Sequence, residues 1–158
     1  MPDPLPLYAD AQTLLAACLL ALDNHSIEHP EIVRVTATEP VDDCSHLSVW
    51  MTNFFTGQPS TPNPAPERCG WPLAAEYQIV VKRCLIVDQK GSPKVEEEEE
   101  DAEAVLADVW AIKQGLAEQF YERALFPDRL FWIGPAAPAG FVSDLGGYII
   151  TVQVEIQG

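Results

Sequence analysis

Residues 75–87 read AEYQIVVKRCLIV, the longest strand-forming stretch in the chain. Tyr77, Ile79 and Val81 alternate with Gln78, Val80 and Lys82, and both sets hold apolar residues. That spacing suits a central strand covered on both faces. A central strand needs neighbours to hydrogen-bond on either side and a layer to pack on it. The flanking sequence offers both.

Toward the N-terminus, residues 46–55 form a second strand rich in β-formers: Val49, Trp50, Thr52, Phe54 and Phe55. Residues 32–38 form another, with Val33, Val35 and Ala37 on one face, ended by Pro40. Before these, Leu15, Cys18, Leu19 and Leu22 recur at three- and four-residue spacing among alanines, which predicts a helix from about Tyr8 to Leu22. Asp23-Asn24 and Pro30 stop it.

Toward the C-terminus, the acidic run Glu96–Glu100 opens the strongest helical pattern, which ends near Leu125. Its apolar face is marked by Ala102, Val105, Val109, Ile112, Leu116 and Phe120, with Leu106 and Trp110 beside it. The carboxylates sit in the first turns, where the helix dipole favours negative charge. Leu130–Ile133 is a short strand. Residues 148–156 close the chain, with Ile150, Val152, Val154 and Ile156 inward and a wet face opposite. The sum is an α+β fold in the order α-β-β-β-α-β-β, a mostly antiparallel sheet flanked by two helices.

The 158 residues are read as a single domain, 1–158, with a Pro-rich extended loop at 57–72 and a Gly/Pro loop at 134–147. The formal net charge is −15 and hydrophobic residues make up 47%, so the chain can bury a core despite its acidity. Such a balance excludes binding to a phosphate backbone by charge neutralisation, and it does not suit an anionic membrane. The apolar run 14–22 is about half of the roughly 20 residues a bilayer demands. No basic targeting segment is visible, and the four cysteines are too sparse for a disulfide scaffold. They read as buried thiols, with a disulfide between neighbouring strands as the exception.

Little chemistry is spelled out. Cys44, His46, Cys69 and Cys84 form one conceivable zinc set, but Cys-x-His is tighter than the usual knuckle and no second close pair exists. A nucleophilic Cys44 beside His46, His25 or His29 lacks a glycine-flanked turn and an oxyanion-hole signature. A contiguous carboxylate run such as Glu96–Asp101 scatters its oxygens around a helix axis instead of alternating them as calcium loops do. Gly140, Gly146 and Gly147 make no phosphate loop. The aromatics Trp50, Phe54, Phe55, Trp110, Phe131 and Trp132 read as core, with interface as the alternative.

The layout as a whole is more telling. Asp43-Cys44-x-x-Leu47 stands before the second strand, with Arg68-Cys69 in the Pro-rich loop and Arg83-Cys84 in the long strand. Val109-Trp110 lies in the acidic-start helix, followed by Phe131-x-x-Gly134-Pro135 and Gly146-Gly147. Together these resemble the tail terminators and neck connectors of long-tailed actinobacterial bacteriophages. The resemblance implies a virion protein of the tail or neck, found in the host cytoplasm during assembly. It implies a homo-oligomer, usually a hexameric ring, capping the tail tube and meeting the head–tail connector or stopper protein. DNA would pass through its lumen unheld, with no enzyme activity, cofactor, metal or membrane involved. A head-completion or stopper role is the alternative within this class. A small α+β enzyme or metal-binding domain using Cys44, His46 and Cys84 is the alternative outside it.

Ring subunits join one patch to a different patch on the next copy. The loop residues Pro59, Pro62, Pro64, Pro66 and Trp71 are candidates for one such patch, because proline restricts the chain before it docks. The closing strand, through Tyr148, Thr151, Gln153 and Glu155, is the candidate edge for pairing with an adjacent sheet.

Overall fold

The computed structural model describes residues 6–41, 45–59, 73–84, 98–122, 125–139 and 145–156. Its elements follow the expected order: α1 (Pro6–Asn24), β1 (Ile32–Thr36), β2 (His46–Thr56), β3 (Leu73–Cys84), α2 (Glu98–Tyr121), β4 (Phe131–Pro138) and β5 (Leu145–Ile156). The fold is α+β, built on one five-stranded mixed sheet in the order β1-β2-β3-β5-β4.

β3 is central, as its two apolar faces predict. It pairs antiparallel with β2 on one side and with β5 along all of its length on the other. Both helices lie on one face of the sheet: α1 over β1, β2 and β3, and α2 over β3, β5 and β4. The core forms there from Leu14, Cys18 and Leu22 of α1, Ile112 and Leu116 of α2, and the inward residues Leu47, Val49, Tyr77, Ile79, Val81, Ile150, Val152 and Val154. On the opposite face His46, Ser48, Val80, Lys82 and Gln153 are also buried, although neither helix reaches them.

α1 ends in a Schellman motif. Ile27 N–H donates to Leu22 O and Ser26 N–H donates to Asp23 O, with Ser26 in the left-handed region at φ 55°. Ile27 then packs back on the core. Sequence punctuation at Asp23-Asn24 located this stop within two residues.

Several expectations need correction. The closing strand is not an edge: β5 lies between β3 and β4, so Tyr148, Thr151, Gln153 and Glu155 belong to an interior strand. Alternation reports which face of a strand is buried and says nothing about its lateral place in the sheet. The edges are β1 and β4. β1 pairs with β2 in parallel, in the register Ile32↔His46, although only residues 37–45 connect them. That return is short beside the dozen or more residues usual for parallel pairs. Arg34 Nη2 donates to Val41 O at 2.8 Å and Thr36 Oγ1 to Thr38 O at 2.7 Å, tying the returning segment to β1.

β4 continues past Ile133 to Pro138, so the Gly/Pro loop at 134–147 is shorter than expected. The register slips between Ile133 and Ala136, leaving Gly134-Pro135 as a bulge. Proline is tolerated there because β4 is an edge with one side unpaired. Of the Pro-rich loop, Pro59 lies buried in a turn after β2, while Pro62, Pro64, Pro66 and Trp71 lie outside the described residues.

The helices are in close contact at Gly115, where an added Cβ would clash with Ala21 Cβ. Gly115→Ala is therefore expected to destabilise the fold by about 1–3 kcal/mol through overpacking. Moving the glycine across the contact, as Ala21→Gly with Gly115→Ala, removes the clashing methyl and should recover much of that loss. Urea melts of the three variants and the parent give the comparison; additive losses would show that the contact does not set the helix spacing.

Candidate functional site

Two charge pairs are built into the interior. Arg129, in the turn before β4, donates from Nη1 to Asp10 Oδ2 at 2.8 Å and from Nη2 to Asp10 Oδ1 at 2.6 Å. Its Nη1 also reaches Glu155 O at 3.3 Å, and its guanidinium lies 4.8 Å from the Phe126 ring centroid. Asp10 sits on α1, one turn from Leu7, whose carbonyl accepts Tyr77 Oη at 2.9 Å. Burial first, and then the Asp10 charge, push the Tyr77 phenol well above its usual range. The hydrogen bonds to Asp10 hold Arg129 above its usual range.

Arg83 makes the second pair at the other end of β3. Nε donates to Asp108 Oδ2 at 2.7 Å and Nη2 to Asp108 Oδ1 at 2.9 Å. Nη2 also donates to Glu28 O at 2.6 Å. Asp108 is almost fully buried, and its hydrogen bonds raise Arg83 in the same way. An open cleft of about 400 Å³ lies beside this pair, lined by Ile27, Glu28, Glu100 and Glu103. Both forks are bidentate, and their guanidiniums are engaged with residues of the fold itself.

The remaining described cations are engaged as well. Lys113 Nζ donates to Gly134 O at 2.5 Å, and burial lowers its pKa. Arg34 bonds Ser48 Oγ and Val41 O, and Lys82 is buried with an interaction of its own. The described carboxylates of Asp23, Glu31, Glu99, Glu100, Glu103 and Glu122 by contrast face solvent. A polar ladder crosses the face of the sheet away from the helices: Gln153 Nε2 donates to Glu76 Oε2 and Thr52 Oγ1 to Glu76 Oε1, each at 2.9 Å.

The sequence-derived cysteine–histidine set is not assembled as a metal or catalytic centre. Cys84 is disulfide-bonded, so it offers neither a thiolate ligand nor a nucleophile. This corrects the reading of four reduced thiols. His46 is fully buried in β2, with Nδ1 at 2.9 Å from Ser48 Oγ. Cys44 and Cys69 lie outside the described residues. His25 Nδ1 meets Ala21 O, and His29 Nε2 meets Asp23 Oδ1 at 2.7 Å, so both are engaged with α1. Among the described residues no three His, Cys, Asp or Glu side chains gather to hold a metal, and no helix is long and apolar enough to cross a membrane. Cys18 is free and buried, and burial pushes its thiol up to about 12.

One surface among the described residues is rich in aromatic side chains. Tyr121, Phe120, Phe131 and Phe126 meet edge to face in succession, with centroids 4.8–5.7 Å apart. Phe120, Tyr121 and Leu130 are exposed, and they border an open cleft of about 560 Å³ beside the start of edge strand β4. Trp110, read as core, is instead 66% exposed, and Phe54 is exposed too. No protein-family model and no curated protein sequence matches the chain.

Two outcomes follow. Asp10→Ala leaves Arg129 buried without its carboxylate and should cost about 3–5 kcal/mol in urea melts. Of the four cysteines, the Cys84 bond occupies two, so thiol titration in denaturant without reductant should count two thiols per chain. Cys18 should stay unreactive until the protein is unfolded. Four titratable thiols would mean that the bond does not form.

Proposed function

We propose that this chain is a structural protein of a bacteriophage neck or tail, a tail terminator that assembles into a ring, caps the tail tube and meets the head connector. The observation that carries the reading is a contact surface in place of a chemical pocket. Exposed Phe120 and Leu130 lie beside the start of β4, which is an edge among the described strands. An open backbone edge next to an apolar patch is the equipment of head-to-tail assembly, in which backbone hydrogen bonds add to buried area. The element order and the motifs that resemble tail terminators support the same reading.

The charge distribution suits a subunit that DNA passes without being held. Binding the duplex requires free Lys and Arg to displace counterions. Arg34, Lys82, Arg83, Lys113 and Arg129 are all turned to partners within the fold. An acidic wall repels phosphate and lets the duplex slide.

Electron microscopy of assembled tails tests this proposal. The expected result is a closed ring of this chain at the head-proximal end of the tube, with an acidic lumen. Phe120→Ser with Leu130→Ser, both exposed positions, should leave the monomer folded by circular dichroism and abolish the ring. A protein absent from the particle, or a ring with a strongly basic inner wall, would overturn the reading.

A further inference from the structure

The outer side of α2 has a pattern of its own. Glu99, Glu103, Leu106, Trp110, Ala117 and Tyr121 recur at spacings of three, four and seven, which places them on one face of the helix. The opposite face, through Val105, Ala111, Ile112 and Leu116, is committed to the core. Helix α2 is thus apolar on both sides, and only one side is covered. Leu106 is 51% exposed, Trp110 66% and Tyr121 83%. A tryptophan and a tyrosine standing in line on a solvent-facing helix are the residue types that dominate contact energies in protein interfaces.

We infer that this face is a docking site for a segment of another protein that presents Lys or Arg around an apolar centre. Charge complementarity selects that occupant. Glu99 and Glu103 stand on the stripe itself, and Glu100 is exposed at the same end of α2. The stripe is therefore apolar in its middle and anionic at its N-terminal end. A second copy of this chain is poorly matched, because each carries a net charge of −15 and the cations among the described residues are turned inward. The same net charge disfavours nucleic acid. A basic amphipathic segment satisfies both halves, laying apolar side chains against Leu106 and Trp110 and its cations against Glu99 and Glu103. The inference goes beyond the virion reading and stands without it, since it follows from exposure and charge on α2 alone.

The test uses the full chain and two fluorescein-labelled helical peptides. One is built of Leu and Lys; the other keeps the same Leu positions with Glu in place of Lys. Fluorescence anisotropy should show the Leu/Lys peptide binding, with affinity falling as salt rises. Leu106→Ala with Trp110→Ala should weaken binding roughly tenfold or more. Glu99→Gln with Glu103→Gln should weaken it several-fold at low salt and little at high salt. All four positions face solvent, so melting curves should stay near that of the parent. Equal binding of the Leu/Glu peptide would overturn the charge argument. Unchanged binding by the Leu106/Trp110 variant would show charge attraction without a docking face and overturn the site. A parent protein that self-associates, and becomes monomeric on Trp110→Ala, would assign the face to a second copy and overturn the proposed occupant.

Discussion

β3 is hydrogen-bonded on both sides and carries buried residues on both faces, and the rest of the molecule is arranged around that constraint. A strand so placed has no solvent to satisfy its backbone, so each neighbour must match it in register and spacing. β5 does so over twelve paired positions, from Leu73↔Ile156 to Cys84↔Leu145. The match is close enough that position 147 tolerates no side chain: a Cβ on Gly147 would lie 1.9 Å from Val81 O. On the core face Tyr77 reaches through the helical layer to the backbone of α1, so the strand also positions the first helix. With β2 and β5 taken as partners, β1 and β4 are the edges among the described strands. β1 is short. β4 carries Pro135, Pro138 and a bulge, features that limit indiscriminate edge pairing.

The two buried ion pairs act at opposite ends of this frame. Each joins three elements: Arg83 on β3 to Asp108 on α2 and the carbonyl of Glu28 after α1, and Arg129 before β4 to Asp10 on α1 and the carbonyl of Glu155 on β5. Desolvation offsets much of the Coulomb attraction in such pairs, so their worth is not a large net stabilisation. A planar guanidinium donates two parallel hydrogen bonds to a carboxylate only when the two groups are nearly coplanar. These contacts therefore fix how the helices lie on the sheet, which apolar packing alone leaves free to slide.

Much of this was legible in the residues. Period-two alternation marked the strands, and the two apolar faces of residues 77–82 placed β3 at the centre. Three-and-four spacing marked both helices, and their ends fell near the proline and Asp-Asn punctuation. What escaped was whatever depends on lateral order or on distant residues. Nothing in Tyr148–Ile156 tells an interior strand from an edge, because both alternate. Parallel pairing of β1 with β2 is hidden by a connection short enough to suggest a hairpin. Asp10 and Arg129 are 119 positions apart, and no local pattern announces their meeting. The polar residues buried away from the helices, His46 and Ser48 among them, carry no local signal of burial, and His46 reads only as a zinc or catalytic candidate. The outer stripe of α2 is a different case. Its recurrence at 103, 110 and 117 was present in the sequence, but Leu106 and Trp110 were absorbed into the one apolar face that a core helix needs.

That second face and the free edge of β4 divide the possibilities for association by charge. Identical copies bring identical charge. The cations among the described residues are engaged internally, and a contact between copies must overcome repulsion from a net charge of −15 on each chain. Such a contact is best made through backbone hydrogen bonds and aromatic area, which are what β4, Phe120 and Leu130 offer. A contact that uses charge needs a partner of opposite sign, and the place where carboxylates and exposed aromatics share one surface is α2. On the two proposals made above, contact between copies and capture of a partner draw on adjoining surfaces that share Tyr121. They should respond differently to ionic strength: salt screens the repulsion that opposes the first and the attraction that drives the second, so raising it favours contact between copies while releasing a basic partner.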